Sequence, residues 1–255
     1  MSDMLIVVIG GTGLIGSKLV RQLSEHGHRA VAAAPSTGVD TVTGDGLADV
    51  LAGADVVVDV SNSPSFDDDA ALEFFEKSTG NLLAAEAQAG VGHHVALSVV
   101  NTDQLAEQSG YFRAKALQER LIRQSPVPYT IVHATQFYEF VKGIADAATD
   151  GDIVRLAPVL IQPMAAADVA EAMAIAAVGK PQNRIVEVAG PQLYRLDELI
   201  HTALTAHGDP RTVVADAAAR YWGAELAERS LVPDGDALLF DTRFEGWILE
   251  TLTTS

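Results

Sequence analysis

The sequence predicts an α/β fold, a doubly wound parallel sheet with helices on both faces. Three observations carry this expectation. Short runs rich in Val and Ile recur along the first half of the chain. Helical patterns of apolar residues separate them. The first run ends in a glycine cluster that opens the first helix, which is how a strand–helix–strand unit begins.

Leu5–Ile9 reads as a buried strand, too short and too β-branched for a helix. From Leu14, apolar residues at Ile15, Leu19, Val20 and Leu23 mark one helical face, and Gly27 stops the helix. Residues 30–33 read as a second strand, 47–54 as a short helix and 55–60 as a third strand. A long helix is expected over 70–90, its start favoured by Asp67, Asp68 and Asp69. Residues 93–100 form the fourth strand, 111–124 a helix that Pro126 and Pro128 end, and 129–134 the fifth strand. Beyond Thr135 the rhythm loosens. Residues 152–157 and 184–190 read as strands, and 167–178 and 196–207 as helices. With no Gly/Ser/Pro-rich linker, residues 1–255 read as one domain, and approximately 135–165 and 190–255 as segments that cover the substrate.

Hydrophobic residues make up 48% of the 255, enough for a sizeable core. No apolar run approaches the ~18 residues of a membrane span, and the start enters a strand without a basic leader. There is no cysteine, so disulfides and thiolate catalysis are excluded and a cytoplasmic location is the expectation. The net charge of −17 repels nucleic acid and anionic lipid, so the expected partner is a small-molecule substrate, with neither nucleic acid nor membrane. The oligomeric state has no signature in the sequence.

Gly10, Gly11, Gly13 and Gly16 stand where the first strand turns into the first helix. A pyrophosphate needs the backbone N–H groups of a helix N-terminus at close approach, and a Cβ there would hold it off. The turn, with Thr12, Leu14 and Ile15, is therefore the expected dinucleotide site of a Rossmann-type sheet. An acidic residue at the end of the second strand would select NAD. Ala33, Ala34 and Pro35 stand there instead, followed by Ser36 and Thr37, which can hydrogen-bond a 2′-phosphate. NADP(H) is thus the preferred cofactor, with NAD(H) the alternative.

Ser98 closes the fourth strand, thirteen residues before Tyr111, and Tyr111 and Lys115 share a helix face. A tyrosine can protonate a carbonyl oxygen as hydride reaches its carbon. A lysine beside it lowers its pKa and can hold the ribose, and a serine steadies the developing oxyanion. At these residues the chain resembles the short-chain dehydrogenase/reductase superfamily, most of all its atypical NmrA-like NAD(P)H-binding branch. The carriers are GGTGLIG from Gly10 to Gly16, Gly44-Asp45, Ser98 and Tyr111-x-x-x-Lys115. The stretches TGNLLAAEAQAGV, QPMAAADVAEAM and VEVAGP add to them. The resemblance implies that Asp45 contacts the adenine and that Val60, Ser61 and Asn62 line the cofactor. It departs from the proton relay of many members, whose asparagine and glycine are replaced by Phe75 and Ser78.

Gln136, Phe137 and Phe140 follow the fifth strand, where a doubly wound sheet places its ligand, and Met164 approaches from the other side. They suggest an apolar pocket for a neutral carbonyl, quinone or enone. The histidines form no metal pattern, and His133 reads as a satisfied buried residue. The expected function is an NAD(P)H-dependent oxidoreductase. A non-catalytic NAD(P)-binding redox sensor is the alternative, and a sugar-nucleotide epimerase a third reading.

Overall fold

The computed structural model describes residues 3–65 and 67–253. Its centre is a seven-stranded, wholly parallel sheet. The chain runs through β1 (Leu5–Ile9), α1 (Leu14–Glu25), β2 (Arg29–Ala33), α2 (Leu47–Val50), β3 (Val56–Asp59) and α3 (Asp68–Ala89). It continues through β4 (His93–Val99), α4 (Thr102–Leu105), α5 (Gly110–Gln124) and β5 (Tyr129–Ala134). Then come α6 (Val141–Ala147), β6 (Thr149–Asp150), β7 (Ile153–Leu156), β8 (Leu160–Ile161) and α7 (Ala166–Val178). The last elements are β9 (Ile185–Ala189), β10 (Tyr194–Arg195), α8 (Leu196–Ala206), β11 (Thr212–Ala215), β12 (Leu238–Leu239) and α9 (Phe244–Thr253).

The strand order is β12-β9-β5-β4-β3-β1-β2. The chain steps from β1 to β2 on one side and to β3 on the other, so the sheet switches direction at β1. The switch lies at β1, and such sheets hold ligands beyond the carboxyl ends of the strands at that point. On one face α1 and α7 pack Leu19, Leu23, Val169 and Met173 against Ile6, Val8, Val58 and Val132. On the other, α3 and α5 bring Leu82, Leu83 and Ile122 against Val7, Val57, Ala96 and Ile131. With both faces covered, the central strands β1, β3, β4 and β5 are largely buried on both sides, which is why these runs do not alternate.

The expected strand–helix alternation is present through β5. The helix expected from residue 70 begins at Asp68, because Asp67 caps it by accepting from the Ala70 N–H at 3.3 Å. The segment expected as a strand at 152–157 is β7, but it leaves the main sheet and pairs with β6 and β11. Around it a second apolar cluster gathers Tyr138, Val141, Ile144, Leu199, Ile200, Phe244 and Ile248. The short elements α4, α6, β11, β12 and α9 have no counterpart in the sequence reading; they owe their form to packing rather than to periodicity.

Candidate active site

Gly10 leaves β1 at φ +76°, and a Cβ there would stand 2.9 Å from the Ser61 backbone N at the end of β3. A Cβ at Gly16 would stand 2.2 Å from Gly10 O, so the glycine lets α1 press against the turn it follows. Gly13 differs. It caps α1 with no side-chain bond, and only Gly10 O, at 3.2 Å, lies near its missing Cβ. No acidic residue occupies the first turn of α1. Thr12, Gly13 and Leu14 are exposed, whereas Ile15 is buried in the core, so only its backbone faces the turn. An uncapped, acid-free helix N-terminus open to solvent fits the pyrophosphate of a dinucleotide.

Beyond β2 a single 3-10 turn runs from Pro35 to Thr37. It brings Ser36 Oγ to within 3.5 Å of Thr12 Oγ1, above the glycine turn. The Thr37 hydroxyl is engaged by its own turn: it accepts from Ala34 N and donates to Ala34 O, each at 2.9 Å. Asp45 is exposed on the next loop and accepts from Thr43 Oγ1 at 2.8 Å. Asn81 of α3 anchors that loop by donating to the carbonyls of Thr41 and Val42.

At the carboxyl end of β3, Asp59 is 2% exposed. Its Oδ1 accepts from Ser61 N at 2.9 Å and Ser61 Oγ at 2.6 Å, and its Oδ2 accepts from Gln118 Nε2 at 3.0 Å. The next residue, Asn62, is exposed and accepts from the Tyr111 hydroxyl at 3.2 Å. Burial pushes the Tyr111 phenol up to about 12, with Asn62 opposing, so it is a neutral donor. Lys115 lies one turn further along α5 and is 3% exposed. Its ammonium donates to Leu97 O at 2.8 Å and to Gln118 Oε1, and sits 4.6 Å from the centroid of the Phe75 ring. The same ring meets Tyr111 edge-on at 6.4 Å between centroids. Phe75, at the position where the resemblance implies a relay asparagine, thus presents an apolar ring to both residues.

Ser98 faces α5 from β4 and donates to Glu119 Oε1 at 2.6 Å. That oxygen is also bonded to His133 Nε2 at 2.7 Å, while Glu119 Oε2 accepts from Arg123 at 2.8 Å. The three residues expected to act together therefore belong to three hydrogen-bond sets: Tyr111 with Asn62, Lys115 with Gln118 and Leu97 O, and Ser98 with Glu119. The spacing of the motif holds, but two polar residues of α5 outside it, Gln118 and Glu119, engage its lysine and its serine. His133 is the satisfied buried histidine the sequence suggested.

On the substrate side, Phe137 and Phe140 stack at 5.3 Å, with Phe140 49% exposed. Met164 is fully buried in the main core, and its backbone bonds to Gln136 and Tyr138. Its side chain thus packs as core. Gln136 is 8% exposed, and its Oε1 is buried without a partner. Tyr221, which the sequence reading did not single out, packs in one cluster with Tyr111, Leu105 and Phe112. Only a Trp-Gly pair after it hinted at a turn.

The sheet, its switch point and the open glycine turn define a Rossmann-type dinucleotide-binding protein. The chain belongs to the NAD(P)H-binding family, whose model matches residues 10–180. It is 30% identical over 205 residues to (4-alkanoyl-5-oxo-2,5-dihydrofuran-3-yl)methyl phosphate reductase of Streptomyces griseus subsp. griseus, over 74% of this chain and 68% of that one. It is 26% identical over 150 residues to a photosystem II assembly factor of Cyanophora paradoxa, spanning 53% of this chain and 46% of that one. Among solved structures, a UDP-N-acetylglucosamine 4-epimerase from Methanobrevibacter ruminantium superposes with a TM-score of 0.72 at 15% identity, over 99% of this chain and 98% of that one. That likeness is one of fold. The resemblance read from the sequence holds at the level of family, and the chain stands among NAD(P)H-binding oxidoreductases. Among the described residues, no helix is long and apolar enough to cross a membrane.

Proposed function

We propose that the protein is an NAD(P)H-dependent reductase of small, fairly hydrophobic carbonyl, quinone or enone compounds, with Tyr111 as its proton donor. One observation carries the reading. The Tyr111 hydroxyl reaches Asn62, next in sequence to Ser61, whose backbone lies against Gly10 of the glycine turn. A neutral phenol beside the glycine turn can supply the proton that reduction of a carbonyl requires.

A bound nicotinamide dinucleotide supplies the hydride. The chain supplies the rest. The N-terminus of α1 holds the pyrophosphate, and Ser36 with Thr12 takes the 2′-phosphate. Asn62 orients the Tyr111 hydroxyl, which donates its proton to the substrate oxygen and is reprotonated from solvent. Phe137 and Phe140 supply an apolar wall. The name of the Streptomyces relative describes reduction of an acyl-bearing oxo-dihydrofuran, which supports an unsaturated carbonyl substrate. Lys115 and Ser98 act through the buried network that sets α5 against the sheet, in preference to touching the substrate.

Tyr111→Phe keeps the ring and removes the donor. Turnover of a carbonyl, quinone or enone substrate with NADPH should fall by ~10²–10⁴, the usual contribution of a general acid, while NADPH affinity is retained. Full activity in the variant would reject Tyr111 as the acid. Competitive titration of the parent should show NADPH binding more tightly than NADH; the reverse order would reject the role of Ser36 and Thr12. A second reading, a dinucleotide-bound regulator, is favoured by the engagement of Ser98 and Lys115 with other partners. It requires tight cofactor binding with no turnover of any such compound.

A further inference from the structure

The last strand of the main sheet, β12, pairs with β9 on one side, and among the described residues no strand pairs with its other edge. Its two residues, Leu238 and Leu239, are 50% and 53% exposed. Proteins usually blunt an open edge with a charge or a proline in the strand itself. Here the strand is leucine, and the charges stand outside it, Asp234 and Asp236 before and Asp241 after.

This edge borders a groove of about 390 Å³. One wall is α7, through Asp168, Glu171 and Ile175, whose spacing sets them in one row along the helix. The other wall is Leu238, Leu239 and the residues that follow them. Thr242 N and Oγ1 donate to Asp168 Oδ2 at 3.3 Å and Oδ1 at 2.7 Å. That contact joins the start of the helix to the end of the strand segment. The carboxylates of Asp168, Glu171 and Asp241 therefore gather at one end of the groove, and Ile175 and the leucines at the other. The strand wall is also held from upstream. Asn101 Nδ2 donates to Ser230 O at 3.1 Å and Val232 O at 2.9 Å, and Gln104 Nε2 to Asp234 Oδ2 at 2.8 Å. The chain is thus pinned before and after β12, and the groove is preformed.

Whatever covers this edge must match its chemistry. No lysine or arginine lines the groove. Glu171 and Asp241 are exposed, and neither forms a salt bridge among the described residues. A second copy would bring the same acids to the same place, on a chain of net charge −17, and is repelled. A cationic partner is attracted instead. We propose that the β12 edge and its groove dock an extended segment of a partner protein that carries aliphatic side chains and a lysine or arginine on one face. The segment continues the sheet through its backbone. Alternate side chains then fall on the groove side, the aliphatic ones against Ile175 and the leucines, the cation against Glu171 and Asp241. Nothing here depends on Tyr111 or on turnover.

The probe is a short rhodamine-labelled peptide in which threonine alternates with two valines and then a lysine, followed by fluorescence anisotropy. The parent should bind it at least about tenfold more tightly than peptides with serine for valine or glutamate for lysine. Ile175→Gln should erase the preference for valine. Glu171→Gln should weaken binding of the lysine peptide about threefold, the scale of one exposed ion pair. Glu76→Gln removes the same charge from α3, on the opposite face of the sheet, and should change nothing. All three positions are exposed, and unchanged urea midpoints would show that the variants fold. A parent that binds the three peptides alike overturns the assignment. So does an Ile175→Gln protein that keeps the preference, or a Glu76→Gln protein weakened as much as Glu171→Gln. Sedimentation velocity supplies the remaining outcome: a parent dimer that Leu239→Lys dissociates would give the edge to a second copy and reject the cationic partner.

Discussion

Gly13 and Gly16 sit one turn apart, yet a side chain would meet different things at each. At Gly16 it would strike the backbone of Gly10 and Gly11, at 2.2 and 2.6 Å. At Gly13 it would meet little but the space proposed for a pyrophosphate. The two substitutions should therefore separate folding from binding. Gly16→Ala should lower the unfolding free energy by about 1–3 kcal/mol, the usual cost of overpacking. Gly13→Val should unfold near the parent's midpoint and yet fail to bind NADPH in calorimetry. Unchanged affinity in a folded Gly13→Val protein would remove the basis for placing the dinucleotide at this turn. The glycines were legible from the sequence because their neighbours, a β-branched run and a helical stripe, supply the context that gives the spacing meaning. Tyr221 was not, because nothing local marks an aromatic that packs with Leu105 and Phe112, more than a hundred residues earlier in the chain.

Helix α5 shows why a motif can be legible while its partners are not. Tyr111, Lys115, Gln118 and Ile122 recur on one helical face, which packs on the sheet. Lys115, Gln118 and Glu119 are each 3% exposed or less. A hydrophobic-pattern reading sends such residues to solvent; their burial rests on Asp59, Ser98, Leu97 O and His133, contributed by three strands. Burying the Lys115 ammonium pulls its pKa down to about 8, opposed by Asp59 and Glu119, against an ordinary value of 10.5. Between those values the unfolded chain holds a proton that the folded chain has released. Stability due to this group therefore rises with pH across that window and is lowest below it. Urea unfolding of the parent should gain stability from about pH 8 to about pH 10.5 relative to Lys115→Met, which lacks the titrating group. A parent that loses stability relative to the variant over that range would contradict the burial of a charged lysine.

Across the whole molecule, the first half of the chain was the easier to read. Strands β1 and β3 to β5 are largely buried and alternate with helices, so composition and period agree. The second half holds elements that exist only through what they touch. β12 is two half-exposed leucines added to β9, and β11 pairs with β7 away from the main sheet. No period survives in segments so short. The charge of −17 supports no finer statement than mutual repulsion between copies and anionic partners.

The clamp of Asn101 on Ser230 and Val232 spans 129 and 131 residues of sequence. Closing so long a loop gains nothing until both ends are in hand, so contacts of this range form late. During synthesis the glycine turn and the strands around it emerge first, and Tyr221 leaves the ribosome after the whole of the central sheet save its last edge strand. A nascent chain can thus carry the whole glycine turn and the strands around it while the segment that Asn101 clamps has yet to emerge.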